Sequence, residues 1–147
     1  MRDYRPLVSV RETVDASTSQ VWDTVTHKTG VMFIGSDVKT DWKEGHPITF
    51  KGVWEGRTFE DKGKVQTFDQ EKKIAFTHFS ASSGKPDRPE SYDLVSIEIQ
   101  PNGAGTDVTL TQSQHMQAKE PDAGTVAKFE KNWRMMLEKL KSAAERG

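Results

Sequence analysis

A change of hydrophobic period near Pro121 divides this sequence into a long strand-forming part and a final helix. Between Asp37 and Gln114 apolar residues recur at every second position, which is typical of half-buried strands. Pro121 is expected in the first turn of an amphipathic helix of about six turns, at ~3.6 residues per turn. The apolar stripe of this helix comprises Val126, Phe129, Trp133, Met136, Leu137, Leu140 and Ala144. Such a helix is not stable alone, so we expect it to pack on a sheet.

The amino-terminal part begins with a strand and a capped helix. Residues Leu7 to Val14 alternate, and Ser17 with Gln20 has the spacing of a capping box. A second short helical turn is expected through Val31, Met32 and Phe33. The later strands bring the total to seven, mostly joined by short turns, which favours antiparallel pairing. The sequence therefore predicts an α+β fold: a curved seven-stranded antiparallel sheet around a long carboxyl-terminal helix, with one or two short helices after the first strand.

The shapes of the two layers predict a cavity. An antiparallel sheet of this size twists and curls, so a straight helix across its concave side cannot fill it evenly. The remaining space would be lined by aromatic and methionine side chains with few polar groups, which is typical of small-ligand sites. The candidate ligand-binding residues are Trp42, Phe50, Trp54, Phe76, His78, Phe129, Trp133 and Met136. For the tryptophans, the methionine and the histidine, an ordinary place in the core is the alternative interpretation.

Length and composition exclude several function classes. The 147 residues predict a single domain spanning residues 1–147. Lys and Arg number 21 against 22 Asp and Glu, and this near-neutral balance argues against nucleic-acid binding. The absence of cysteine excludes disulfides, thiolate metal ligands and cysteine nucleophiles. No apolar run is long enough for membrane insertion, and the first residues lack the core of a signal peptide, so we expect a cytoplasmic protein.

The sequence contains no recognisable catalytic or metal-binding motif, so no catalytic residue, metal or cofactor is predicted. Gly103 to Thr106 is interpreted as a hairpin turn, not a phosphate-binding loop. His78 shares a strand face with Phe76, where its imidazole would contact a ligand, transfer a proton or be hydrogen-bonded in the core. Asp61 is expected on the surface, since an unpaired buried carboxylate is costly. The other histidines are scattered: His27, His46 and His115.

Several segments also resemble a known family. They are GSDVKTDWKEGHPITFKGVWEGRTFEDKGKV, KIAFTHFSASSG and NWRMMLEKLK, together with Val21-Trp22 on the first predicted helix. These segments resemble the START-like (SRPBCC) superfamily, and within it domains similar to the carboxyl-terminal domain of the activator of the heat-shock chaperone ATPase. The resemblance runs from about Val8 to Leu140. It implies a helix-grip fold, a hydrophobic cavity and activation of a chaperone ATPase.

Three functions remain open. The first is non-catalytic binding of a small hydrophobic or amphipathic ligand, with Ser80 to Ser91 as the gate of the cavity. The second is a module that activates a chaperone ATPase in a stress response, although the eukaryotic activator also carries an amino-terminal domain for which this chain has no room. The third is a cyclase- or aromatase-like enzyme that uses His78, alone or with Tyr92 or Asp61. An exposed edge strand, or outward-facing Val53 and Leu94, would support a homodimer.

Overall fold

The computed structural model describes residues 3–28, 30, 33 and 36–146, and only the backbone of Trp54. The elements are β1 Tyr4–Val14, α1 Thr18–His27, β2 Ser36–Lys39, β3 Pro47–Trp54, β4 Arg57–Asp69, β5 Lys73–His78, β6 Asp93–Asn102, β7 Gly105–His115 and α2 Ala123–Glu145. Seven strands with a long final helix confirm the predicted fold class. The helical turn expected through Val31, Met32 and Phe33 lies outside the described residues, apart from Phe33.

The seven strands form one curved antiparallel sheet in the order β1-β7-β6-β5-β4-β3-β2. Strands β2 to β7 follow one another as a meander, and β1 pairs with β7 along its length, from Tyr4 opposite His115 to Val14 opposite Thr106. Strand β4 joins the two ends of the sheet, since it pairs with β3 through its first half and with β5 through its second. An extra residue at Gln66 forms a bulge in β4, and bulges increase strand twist.

Helices α1 and α2 begin at polar caps. Ser17 Oγ accepts a hydrogen bond from the Gln20 amide at 3.2 Å, and Gln20 Oε1 accepts one from the Ser17 amide at 3.2 Å, so the predicted capping box is present. The Asp122 carboxylate caps α2 by accepting from the Thr125 amide at 2.8 Å, and this bond lowers the pKa of Asp122. Pro121 was expected in the first turn but precedes the cap, because Asp122 takes the N-cap position.

Helix α2 packs unevenly along its length. In its carboxyl-terminal half Leu137, Leu140 and Ala144 are fully buried, and the helix lies against β1 and α1. From its amino-terminal end as far as Met136 the apolar stripe is only half-buried, at Val126, Phe129, Trp133 and Met136. The helix is therefore anchored at one end and extends over the concave face of the sheet at the other.

The outer surface departs from the sequence prediction at one position. Val53 is 58% exposed, as expected for an outward-facing residue, whereas Leu94 is buried. The turn Pro89–Ser91 packs against β7, the strand next to Leu94, so the outer face is not wholly open to solvent there. Within the described residues, neither helix combines the length and hydropathy that crossing a bilayer requires.

Candidate functional site

A cavity of about 450 Å³ lies between the amino-terminal half of α2 and the concave face of the sheet. Its apolar wall is mainly aromatic, because alternate residues of β3, β4 and β5 face inward and the stripe of α2 faces them. The aromatic lining residues are Phe33, Phe50, Phe59, Phe76, Phe129 and Trp133. The cavity falls in the usual size range for a small-molecule site, which is ~300–1,000 Å³.

A row of polar side chains crosses the concave face within this cavity. Asp61 on β4, His78 on β5, Asp93 on β6 and Gln112 on β7 come from four successive strands of the sheet, and Trp133 reaches the row from α2. Gln112 Nε2 donates to Asp93 Oδ2 at 2.7 Å, and Trp133 Nε1 donates to Gln112 Oε1 at 2.7 Å. His78 and Asp93 are directly opposite each other in the β5–β6 register. We refer to these five side chains as the polar row.

His78 and Asp61 form a hydrogen-bonded pair at one end of the polar row. His78 Nε2 lies 3.0 Å from Asp61 Oδ2, and Asp61 Oδ1 accepts from the Ala81 amide at 3.2 Å. The Asp61 side chain is 13% exposed, so the predicted surface position is wrong. Its burial is tolerated because it has two hydrogen-bonding partners, the His78 imidazole and the Ala81 amide. The imidazole also packs edge-on against Phe50, with ring centroids 5.2 Å apart.

The environment of Asp93 in the polar row disfavours the charged form of its carboxyl group. Burial raises the pKa of its carboxyl group, while the hydrogen bond from Gln112 and the charges of His78 and Lys85 lower it less strongly. Only Gln112 donates a hydrogen bond to Asp93 among the residues that the structure describes. A partly desolvated carboxylate costs folding free energy, and titratable groups with shifted pKa values concentrate at functional sites.

We expect the substitution Asp93→Asn to stabilise the protein at neutral and alkaline pH. Because the pKa of Asp93 is raised on folding, its contribution to stability is complete below the unfolded-state pKa and is lost as the pH rises through the folded-state value. Asparagine retains the acceptor for Gln112 without the charge, so the free energy of unfolding should rise by about 1 kcal/mol at about pH 8. The gain should vanish near pH 4, where the wild-type carboxyl group binds its proton.

Thermal unfolding between about pH 4 and pH 8 measures this difference. His78, Lys85 and Tyr4 are the titratable groups near Asp93. The same pH scan on the wild-type protein gives their contribution to the pH dependence of stability, and the variant is compared with it. Glu138→Gln is the matched control, because Glu138 is an exposed carboxylate on α2 and its loss should change stability little. A destabilised Asp93→Asn protein at about pH 8 would show that the charge itself is favourable in the fold.

Six of the eight predicted ligand-binding residues line the cavity: Phe50, Phe76, His78, Phe129, Trp133 and Met136. Trp42 does not line it. The backbone at Trp42 is left-handed, with φ of +58°, and its Nε1 donates to the Thr26 carbonyl at 2.8 Å, which places the indole in the core between α1 and the sheet. The side chain of Trp54 lies outside the described residues.

Sequence reasoning missed two central residues, Asp93 and Gln112. The alternation of side chains along a strand could have located both residues, because Asp93 shares its strand face with Val95 and Gln112 shares its face with Leu110. A polar residue on an otherwise apolar strand face was the available signal. Across the described ranges, no three His, Asp or Glu side chains converge closely enough to hold a metal ion.

The loop between β5 and β6 borders the cavity mouth and is tied down on its outer side. Asp87 Oδ2 lies 2.6 Å from Lys62 Nζ, and Tyr92 Oη donates to Asp87 Oδ1 at 2.7 Å. The bond from Lys62 is the main cause of a lowered pKa at Asp87. Tyr92 stacks on Phe79 and is not among the cavity-lining residues, so the tyrosine considered as a partner of His78 lies elsewhere. The cavity side of this loop is formed by Ser80, Ser83, Lys85 and Ser91.

The sheet, the long helix and the cavity between them define a START-like domain with a helix-grip fold. The family model described as Activator of Hsp90 ATPase homolog 1-like protein matches residues 15–145, and the chain belongs to this family. The resemblance seen in the sequence is therefore confirmed. Among curated proteins, none matches the sequence.

Solved structures share this fold. ChR145 from Cytophaga hutchinsonii is 33% identical over 95% of this chain and 93% of its own, with a TM-score of 0.79. The Aha1 dimer from Colwellia psychrerythraea, a solution structure, is 20% identical over 94% of this chain and 95% of its own, with a TM-score of 0.68. CalU16 from Micromonospora echinospora is 18% identical over 96% of this chain and 76% of its own, with a TM-score of 0.68. The last two are similar in fold alone.

Proposed function

We propose that the protein binds a small amphipathic molecule in the cavity beneath α2. The observation that carries this proposal is the combination of an aromatic-lined space of about 450 Å³ with a polar row on its floor. The two kinds of surface suit one molecule with an apolar body and a polar end. The half-buried stripe of α2 supports the same conclusion, because a ligand would complete the burial of Phe129, Trp133 and Met136.

The proposal predicts that filling the cavity from the helix side abolishes binding. Met136→Trp would place an indole in the space next to Phe129, whereas Met135→Trp makes the same chemical change at a residue that is 44% exposed on the same helix. Nile red, a neutral apolar dye, is the probe, and fluorescence titration gives its Kd. We expect Met136→Trp to weaken binding at least about tenfold, and Met135→Trp to bind like the wild type within about twofold.

Equal affinities for the two tryptophan variants would place the dye on the surface and contradict the proposal. Circular dichroism and thermal unfolding of both variants establish that each is folded before its affinity is compared. Screening metabolite and lipid extracts by thermal shift then identifies natural ligands, since a ligand that binds only the native state raises its Tm.

Activation of a chaperone ATPase is a second candidate function. Its support is membership in a family described as Activator of Hsp90 ATPase homolog 1-like protein. The deciding measurement is the ATPase rate of an Hsp90-type chaperone with and without this protein. An unchanged ATPase rate at a saturating concentration of this protein would rule out this candidate function. A cytoplasmic location remains a prediction.

The His78–Asp61 pair supports a third candidate, an enzyme that uses the same cavity. A carboxylate that holds an imidazole is a common arrangement for proton transfer. The test is turnover of any ligand found in the screen, compared between the wild type and His78→Ala. If the ligand binds to both proteins and neither converts it to a product, the result would contradict the enzyme candidate.

A homodimer is also proposed. Support comes from the Colwellia psychrerythraea protein of the same fold, which is described as a dimer, and from β1 and β2, which are the edge strands of the sheet in the part of the chain that the structure describes. Sedimentation equilibrium distinguishes the monomer mass of 16.6 kDa from twice that value.

A further inference from the structure

The inner wall of the cavity carries more negative than positive charge. Two carboxylates, Asp61 and Asp93, belong to its wall, and His78 is the imidazole between them. Lys85 is the other basic lining residue, and it is exposed at the mouth. With both carboxylates ionised, they outnumber the inner cationic groups whether His78 is neutral or protonated. An anionic ligand would therefore meet repulsion on the floor of the cavity.

Asp93 is half-buried in the cavity wall, and only one of its two carboxylate oxygens has a hydrogen-bond donor among the described residues. Gln112 donates to Oδ2, while Oδ1 has no donor among the described residues. His78, the nearest imidazole in the register, directs its Nε2 to Asp61 instead. Oδ1 is therefore available on the cavity side, and a ligand with donor groups at its polar end can bind it there.

The surroundings of Asp93 favour a positively charged donor over a neutral one. A protonated amine offers three N–H donors, and hydrogen bonds between ionised groups are about twice as strong as neutral ones. The faces of aromatic rings also attract cations, and six aromatic rings line this cavity. The raised pKa of Asp93 agrees with this view, because it reports a negative charge that the protein alone compensates poorly.

We propose that the ligand of this cavity is an amphipathic aromatic amine whose protonated nitrogen binds the Asp93 carboxylate while its apolar part lies among the phenylalanine rings. This inference rests on the proposed ligand-binding function and deepens it by naming the chemical class. Gln112 is then a positioning residue, since its amide holds Asp93 from one side and Trp133 fixes the amide from the other.

A matched series of ligands tests the inference. Naphthylethylamine, naphthylethanol and naphthylacetate share one aromatic body and differ in the charge of the polar end. Their Kd values are measured by isothermal titration calorimetry at neutral pH, with Nile red as a neutral reference probe. We expect the amine to bind at least about tenfold more tightly than the alcohol, and the carboxylate to bind most weakly.

The variant Asp93→Asn assigns the preference to one residue. It is expected to fold, and its affinity for the amine should fall at least about tenfold, to the level of the alcohol. Its affinities for the amine and the alcohol should then be similar, and Glu138→Gln should bind all three compounds like the wild type. Loss of alcohol binding by Asp93→Asn would indicate a damaged cavity and would also count against the inference.

The outcomes separate this inference from the proposed function. If Nile red binds, three results would overturn the amine preference alone. They are equal affinities for amine and alcohol, tightest binding of the carboxylate, and no binding of the naphthyl compounds. Absence of binding by Nile red and by all three naphthyl compounds would overturn the proposed function itself. If the Asp93→Asn variant still binds the amine more tightly than the alcohol, another group recognises the positive charge of the amine. That result would overturn the assignment of amine binding to Asp93.

Discussion

Replacing Gly63 with alanine is expected to destabilise the protein by about 3 kcal/mol, which would lower Tm by roughly 10 °C. A methyl group at Gly63 would overlap the backbone carbonyl oxygen of Thr77, because the β5 backbone lies directly against Gly63. The Lys64 amide donates to Thr77 Oγ1 at 2.9 Å at this point, so the adjoining chain is also held in place. Neither backbone can move without disturbing hydrogen bonds on both sides of β4.

Gly124→Ala is the control for this substitution. It makes the same chemical change in the first turn of α2, where the nearest atom to the new methyl group would be Asp122 Oδ1 at 3.4 Å. Alanine favours the helix over glycine, so Gly124→Ala should be neutral or stabilising by less than about 1 kcal/mol. Urea denaturation of both variants measures the difference. A Gly63→Ala protein as stable as the wild type would mean that the strands are not in close contact at this position.

The second large effect is expected from truncating the buried half of α2. Leu137 is 2% exposed and belongs to the main core, so Leu137→Ala should cost about 3 kcal/mol. Its neighbour Met136 faces the cavity and is only half-buried, so Met136→Ala should cost about 1 kcal/mol. The contrast follows from packing: removing Leu137 leaves a void among close-packed side chains, whereas Met136 already borders empty space.

Urea denaturation of the two alanine variants, under the same conditions, measures this contrast. Exposed Met135→Ala serves as a baseline, with an expected change of less than about 0.5 kcal/mol. Equal losses for Leu137→Ala and Met136→Ala would mean that α2 packs as tightly over the sheet at both positions. In that case the cavity would not exist in solution.

Much of the fold and the cavity wall could be predicted because two periodicities determine which side chains share a face. Alternation placed Phe50, Phe76 and His78 on the inner side of the sheet, and steps of three and four placed Trp133 and Met136 on the facing side of the helix. Neither rule depends on distant parts of the chain. The same alternation puts Asp93 on the face of Val95 and Gln112 on the face of Leu110, although neither polar residue was predicted as part of the site.

Other parts of the site depend on contacts that no local pattern reveals. The hydrogen bond between Asp61 and His78 depends on β4 lying beside both β3 and β5, since Asp61 pairs with β3 while its neighbour Lys62 pairs with Phe79. Trp42 leaves the cavity side because its backbone adopts a left-handed conformation, which is uncommon for a residue other than glycine. Both outcomes follow from tertiary packing and not from hydrophobic period.

The central claim is that the space beneath the amino-terminal half of α2 receives a ligand. Methyl NMR during titration with Nile red tests it most directly, because each methyl group reports its own surroundings. We expect the resonances of Met136 and Val95, both in the cavity wall, to shift with the dye. Those of buried Leu140 and exposed Met135 should stay unchanged. Shifts confined to Met135 and other surface methyl groups, or no shifts at saturating dye, would contradict the account.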